Sequence, residues 1–143
     1  MFSNAEHLRA WLLGCGAIDV SQGFGLDFLD GKPGSWALFA VASEVAAREN
    51  ILGQVAPGAR QAQVFELAYR AAVGADGAGS GEALARLEAV ARWIEEQGAA
   101  GSLPEWAGGA VEGVAVATSP GAGDYGAGTA RYQMRLRVTY RRG

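Results

Sequence analysis

Residues Ala130–Arg141, next to the C-terminus, alternate between apolar or aromatic and polar side chains. The even positions carry Ala130, Tyr132, Met134, Leu136, Val138 and Tyr140. The odd positions carry Arg131, Gln133, Arg135, Arg137, Thr139 and Arg141. Because successive side chains of a strand point to opposite sides, this period of two predicts a β-strand with an apolar face and an arginine face. The chain must therefore build a sheet with one packed side and one side offered to solvent or to a partner.

Charge is divided unequally along the chain. Residues 1–129 carry seven basic and fifteen acidic side chains, whereas residues 130–143 carry five arginines and no acid. One interpretation is a solvated strand face that discourages aggregation between sheet edges. The other is a contact face for an acidic protein surface or for phosphates. The acidic remainder of a neighbouring subunit would serve equally well as the partner.

Length and composition indicate one globular domain, residues 1–143. Half of the residues are hydrophobic, and the 22 glycines predict long loops and many turns. The single cysteine, Cys15, cannot form an internal disulfide. The sequence contains no apolar run long enough for a membrane span and no N-terminal signal pattern. We expect a soluble protein that is made in the cytoplasm and does not contact membranes.

Two helices are predicted from apolar stripes and capping residues. The first is capped by Asn4 and ends near Gly14; the second is capped by Ser80, covers about Gly81–Gln97 and stops at Gly98. The apolar stripe of the second helix contains Ala83, Leu84, Leu87, Val90, Ala91 and Ile94.

Short apolar or alternating runs between turn signals predict five strands. They are Trp36–Val41, Glu49–Val55, Gln61–Arg70, Val111–Thr118 and the C-terminal strand. Residues 17–34 are expected to be irregular, and residues 44–50 would also suit a helical turn. The order α-β-β-β-α-β-β favours an α+β fold, a mainly antiparallel sheet with two helices packed on one face. We expect the even face of the last strand under both helices, and its odd face exposed in the monomer but partly covered in an assembly.

The segment Gly121–Gly126 matches the spacing GxGxxG, but a strand follows it instead of a helix, and no acid occurs after Asp124. A dinucleotide fingerprint requires both features, so no cofactor is predicted. The Gly-rich connection Ser119–Gly128 is better interpreted as a mobile hairpin tip that orders on binding a partner. Its candidate interface residues are Gly121, Gly123, Asp124 and Tyr125.

Trp93 falls nearly opposite the apolar stripe of the second helix. It either packs under a neighbouring loop, as isolated surface apolar residues often do, or anchors a subunit interface, where tryptophan is enriched. Together with Arg131, Arg135, Arg137 and Arg141 it completes the candidate interface.

No catalytic or metal-binding residues are predicted. The only histidine, His7, has no Ser/His/Asp or Cys/His set around it in the sequence, and Cys15 lies between two glycines without cationic neighbours. The carboxylates Glu95 and Glu96 belong to a solvated helix face. We therefore expect a protein that is not an enzyme.

Several segments together resemble the small minor capsid, or tail-completion, proteins of long-tailed bacteriophages and prophages, which are similar in turn to tail terminators. The matching segments are the helix with Trp11, Phe28-Leu29 with Lys32–Leu38, Trp93–Gln97 with Gly101–Glu105, Thr118-Ser119, and Gly128–Met134. None of these motifs is catalytic.

The resemblance implies an α+β virion subunit that assembles as a homo-oligomeric ring, usually of six copies. Such a ring caps the tail tube, ends its polymerisation and presents a surface to the head–tail connector. Its partners would be itself, the tail-tube protein and the connector protein, and DNA would pass the lumen without sequence-specific binding. The implied location is the neck of the virion, after synthesis in the host cytoplasm.

Two other functions stay open. A nucleic-acid-binding module could use the arginine face, although that face of the strand has no aromatic residue among its arginines on which bases could stack. A small enzyme is the third alternative, and it has no recognisable site in the sequence.

Overall fold

The computed structural model describes residues 2–45, 60–74, 79–126 and 128–142, except for the side chains of 42–45 and 124–126. In chain order the elements are α1 (Asn4–Leu12), β1 (Phe24–Leu26), β2 (Trp36–Val45), β3 (Arg60–Ala72), α2 (Ser80–Ala100), β4 (Gly109–Val116), β5 (Gly121–Gly126) and β6 (Thr129–Arg142). This α+β composition, with a mostly antiparallel sheet, confirms the predicted fold class.

Strand β6 is the centre of the sheet because it pairs along both of its edges. On one edge it runs antiparallel to β3, from Thr129 opposite Ala72 to Arg141 opposite Arg60. On its other edge β5 pairs with the first part of β6 and β4 with the last part. The described sheet has the order β1-β2-β3-β6-β4, with β5 beside β6.

Strands β4 and β5 follow one another along β6, and a threonine bridges the interval between them. The Ala117 amide donates to the Arg135 carbonyl at 2.8 Å. The Arg135 amide in turn donates to Thr118 Oγ1 at 3.0 Å. The hydroxyl thus stands in for a main-chain carbonyl, and the backbone of Arg135 keeps both of its hydrogen bonds across the interval.

The even side chains of β6 form the floor of the core. Ala130, Tyr132, Met134, Leu136 and Val138 are buried, and Tyr140 is partly buried. Helix α1 adds Leu8 and Leu12 to the same core and contacts β2. Helix α2 contacts β6 and contributes Ala83, Leu87, Val90 and Ile94. The predicted burial of the even face and the predicted apolar stripe of α2 are confirmed, with Leu84 and Ala91 of that stripe partly buried.

Helix α1 has a different cap from the one that we predicted. Ser3 is its N-cap, and Ser3 Oγ accepts from the Glu6 amide at 3.2 Å within a capping box. The side chain of Asn4 accepts instead from the Ala107 amide at 2.8 Å. The Ser3–Glu6 pair satisfies two amides reciprocally, and Asn4 is left to fix a distant loop.

Helix α2 also starts and ends outside the predicted bounds. Gly79 is the N-cap, with φ of 92°, and Ser80 is the first helical residue. The hydroxyl of Ser80 lies 2.7 Å from that of Tyr132, and this bond satisfies the phenol at its buried end. The helix continues through Gly98 to Ala100, and Gly101 ends it in the left-handed conformation.

The strand predictions need two corrections before β3. Residues Phe24–Leu26, expected to be irregular, form β1 and pair in parallel with Trp36–Leu38. Strand β2 continues to Val45 through a bulge between Ala40 and Ala42, so residues 44 and 45 are extended. The predicted strand Glu49–Val55 lies outside the described residues.

The Gly-rich connection before β6 is not a loop throughout. Its residues Gly121–Gly126 form β5, with Gly121 opposite Gln133 and Gly126 opposite Thr129. The prediction of a mobile tip over Ser119–Gly128 is therefore wrong for these six residues. Glycine is uncommon in strands, but β6 offers a complete row of hydrogen-bonding groups to any backbone that lies beside it.

Two glycines of α2 should respond oppositely to the same substitution. In Gly79→Ala, a Cβ would lie 2.5 Å from the Ala72 carbonyl oxygen at a left-handed φ, so we expect a loss of about 1–3 kcal/mol in the free energy of unfolding. Gly98→Ala meets nothing within 4 Å inside the helix and should gain about 0.5–1 kcal/mol. Urea denaturation measures both, and a Gly79→Ala variant as stable as the wild type would contradict the cap geometry.

Candidate interaction surface

The sheet face turned away from the helices carries most of the basic side chains of the strands. Register places Arg141 opposite Arg60, Arg131 opposite Arg70, and Arg135 opposite Glu66. Directly opposite residues of antiparallel strands project from the same side of the sheet. We call this side the arginine face and define it by Arg60, Arg70, Arg131, Arg135, Arg137 and Arg141, with Glu66 and Glu112.

At one end of the arginine face, Glu66 is shared by two arginines. Arg131 Nη2 donates to Glu66 Oε2 at 2.5 Å, and Arg135 Nε lies 4.0 Å from Glu66 Oε1. The guanidinium carbon of Arg131 also lies 4.8 Å from the centre of the Phe39 ring. Ion pair and cation–π contact together fix the direction of Arg131, whose side chain is only 28% exposed.

At the other end, Glu112 is shared by Arg60 and Arg141. Arg60 Nε lies 2.8 Å from Glu112 Oε1, and Arg141 Nη2 lies 3.3 Å from Oε2. The hydrogen bond from Arg60 is the main cause that lowers the pKa of the Glu112 carboxyl, and the charge of Arg141 adds to it. A lowered pKa means that this pairing stabilises the folded state at neutral pH, and that its contribution is lost as pH falls through the lowered value.

The arginine face also contains small residues of β3. Ala62 and Val64 lie between the two clusters, Ala68 lies between Glu66 and Arg70, and all three are buried. Arg70 is held near them, because its Nε donates to the Asp30 carbonyl at 3.2 Å. Ala62, Val64 and Ala68 thus form the floor of the arginine face.

The arginine face is positive within an acidic protein. Its described side chains include six arginines and two glutamates, a formal excess of four positive charges. Arg135 and Arg141 have side chains about half exposed, at 50% and 53%. Such a face attracts an acidic surface at long range and fixes its orientation on contact.

The predicted interface residues do not all gather on this face. Asp124 pairs with Arg131 in register, so β5 borders the arginine face, although the side chains of Asp124 and Tyr125 are not described. Gly123 sits at the bulge between Ala122 and Asp124. A Cβ there would come within 2.5 Å of the Gln133 side-chain amide, so glycine lets that amide pack against β5.

Trp93 belongs to α2, which lies on the side of the sheet opposite to the arginine face. Its ring packs on that of Trp11, with centroids 4.8 Å apart. Trp11 Nε1 in turn donates to the Ser102 carbonyl at 3.1 Å. The pair therefore joins α1, α2 and the loop after α2, and it leaves Trp93 partly buried.

The residues with catalytic chemistry stay dispersed. The ring of His7 packs edge-on to Phe2, and Cys15 is buried, which raises the pKa of its thiol by desolvation. Across the described part of the chain, no three His, Cys, Asp or Glu side chains come together as a metal site. Neither described helix is both long and apolar enough to cross a membrane.

The sequence pattern identifies the four arginines that β6 contributes to the arginine face, but it does not identify the residues that other strands contribute. Arg60, Arg70, Glu66, Glu112 and Phe39 come from three other strands, and only the register reveals that they share a side. The even positions of β3 contain a signal, since Glu66 and Arg70 alternate with the apolar odd positions. The absence of an aromatic residue among the arginines holds for β6 alone, because β2 supplies Phe39.

Comparison with known proteins supports the fold. The structure matches a chain of a solved structure described as "Virion of native gene transfer agent (GTA) particle", with a TM-score of 0.50 and 14% sequence identity. The match covers 99% of this chain and 99% of that chain. At this identity the likeness shows a shared fold. No protein-family model and no curated protein matches the chain.

The two arginines at Glu112 should contribute unequally to its acidity. Because the Arg60 hydrogen bond is the largest cause of the lowered pKa, Arg60→Ala should raise the pKa of Glu112 back toward the ordinary value, and Arg141→Ala should raise it less. A carboxyl-carbon NMR titration of the wild type and both variants measures this. Equal pKa values in all three proteins would show that the cluster does not persist in solution.

Proposed function

We propose that this protein is a non-enzymatic structural component of a phage-like virion. It forms a ring at the head-proximal end of the tail tube, ends tube polymerisation and joins the tail to the head connector. The observation that carries the proposal is the match over 99% of both chains to a chain of a virion particle. The sequence resemblance to tail-completion proteins points independently to the same kind of particle. The protein would be made in the host cytoplasm and reside in the virion neck.

A ring requires that each copy carry two different, mutually complementary surfaces. Contacts of this heterologous kind close into a ring when the rotation between copies divides a full turn, and otherwise extend into filaments. The arginine face is one suitable surface, because Glu66 and Glu112 hold four of its guanidinium groups in place before contact. Ordering them in advance lowers the entropic cost of association.

The strand β5 is the proposed contact for a second partner. It is bordered by β6 on one side, and within the described chain no strand pairs with its other edge. Gly121, Gly123, Asp124 and Tyr125 would there meet the tail-tube or connector protein, with the backbone supplying hydrogen bonds. Trp93 remains a candidate through the part of its ring that Trp11 leaves uncovered.

A ring at the end of the tail tube would let DNA pass through its lumen without sequence-specific binding. The two carboxylates Glu66 and Glu112 lie among the arginines and already pair with four of them, which interrupts a continuous row of phosphate contacts. A protein surface can instead place its carboxylates between them. The arginine face therefore suits a protein contact better than a nucleic-acid contact.

The proposal predicts control over tube length. The tail-tube protein of the phage or prophage that encodes this chain should polymerise into tubes of unlimited length alone, and into capped, shorter tubes once this protein is added. Electron microscopy measures the lengths and the extra ring at one end. Met134→Asp, which places a charge in the core, is the inactive control. A wild-type protein that neither binds tube ends nor limits length would refute the proposal.

A nucleic-acid-binding module is the alternative, favoured by the six arginines on one face and by Phe39 beside Arg131. Phosphate contacts would make its affinity fall steeply with salt concentration, and exposed aromatic residues could stack on bases.

We expect no measurable affinity for duplex or single-stranded DNA at physiological salt in a fluorescence anisotropy titration. The matched variants are Arg135→Ala with Arg137→Ala on the arginine face, and Arg92→Ala on the exposed side of α2. A dissociation constant of about 10⁻⁶ M or tighter that is weakened only by the first pair would favour the alternative.

A further inference from the structure

The outward side of α2 carries charge opposite to that of the arginine face. The glutamates on the solvent side of the helix are exposed; they are Glu82, Glu88, Glu95 and Glu96. Two arginines also lie on α2 outside the core stripe. Arg86 is partly buried, donates to the Ala17 carbonyl at 3.3 Å and lies 3.8 Å from Glu82, whereas Arg92 is exposed. Four carboxylates against two guanidinium groups leave this side negative.

Small residues on α2 leave room for long side chains of a partner. Ala85 is exposed and Ala89 is partly exposed, one helical turn apart between the glutamates. On the arginine face, Ala62, Val64 and Ala68 are already buried within one copy, so the exposed part of that face consists mainly of charged side chains. A contact between the two surfaces would therefore be made by long acidic and basic side chains.

The lengths of the two charged rows agree. Glu82 and Glu96 are fourteen residues apart on a helix, which separates them by about 21 Å along its axis. Arg135 and Arg141 are six residues apart on β6, which separates them by about 20 Å. The whole of α2, at 21 residues, spans about 31 Å, comparable to the distance of about 33 Å from Arg131 to Arg141.

The two surfaces cannot meet within one molecule. Helix α2 packs on the even side chains of β6, and the arginine face consists of the odd ones, so the sheet lies between them. We propose that the outward side of α2 of one copy docks on the arginine face of the next copy. The inference rests on the proposed ring and names the two surfaces that form it.

The contact is testable by reversing each surface separately. One variant is Arg135→Glu with Arg137→Glu and Arg141→Glu, which takes the arginine face from a formal excess of four positive charges to one of two negative charges. The other is Glu88→Arg with Glu96→Arg, which takes the outward side of α2 from two negative to two positive charges. The wild type should form oligomers at low salt that dissociate as salt is raised, because ion pairs across the contact are screened. Each variant alone should stay monomeric by light scattering on a size-exclusion column, since its two contact surfaces then repel.

Restored attraction is the decisive result. A mixture of the two variants should assemble, because the acidic sheet face of one meets the basic helix of the other, and the five substitutions combined in one chain should restore self-assembly. This rescue also excludes misfolding as the cause of the lost assembly. Lys32→Glu and Glu105→Arg change exposed charges outside both surfaces and serve as matched controls that should assemble like the wild type.

The outcomes separate this contact from the proposed function. A wild type that stays monomeric at low salt, reversed variants that assemble unchanged, or a mixture that stays monomeric would each overturn the docking of α2 on the arginine face. Tube capping by the same wild-type protein would leave the proposed function standing in those cases. Rescue by the mixture without any effect on tube length would support the contact and refute the role at the tube end.

Discussion

The structure depends on β6 being paired along both edges while its two faces meet different environments. The pairing with β3 on one side and with β4 and β5 on the other satisfies the backbone of the longest strand. The apolar even side chains can then be buried in the core beneath α2 without leaving main-chain groups unsatisfied. The same alternation sends every arginine of the pattern to the opposite face. Core and arginine face are thus two results of one register, and a slip by one residue would exchange them.

Cross-strand neighbours determine what the arginine face is. Six positive groups on one flat surface would repel one another if they were alone, and such repulsion would destabilise the sheet. Glu66 and Glu112 relieve it at two points, each held between two arginines. Exposed pairs of this kind add little to stability. Their effect here is mainly to fix the positions of the charges, which suits the partner contact that we propose for this face.

The periodic elements could be predicted from the sequence, and the elements that depend on distant partners could not. The stripe of α2 and the even face of β6 follow from local spacing alone. Strand β1 has three residues and exists because Trp36–Leu38 lies beside it, and β5 is rich in glycine and exists because β6 lies beside it. The caps show the same limit. The Ser80 hydroxyl accepts a hydrogen bond from the Tyr132 hydroxyl of β6, and the Asn4 side chain accepts one from the Ala107 amide. Neither side chain therefore caps its own helix, the role that its residue type favours. For the contact surface, four arginines could be identified locally, whereas Arg60, Arg70 and both glutamates required the register.

In the ring that we propose, the placement of two unlike surfaces on opposite sides of a single sheet has a consequence for the order of assembly. An open row of copies would present a bare arginine face at one end and a bare α2 at the other, so the row would have one contact fewer than it has members. The contact that joins the two ends needs no additional molecule to be captured from solution, and the ends meet at the high effective concentration of a tethered pair. Closure therefore gains a full contact without a further loss of translational freedom. Partial rows should be short-lived in comparison with single copies and closed rings, and a population of subunits should pass from one state to the other with few intermediates.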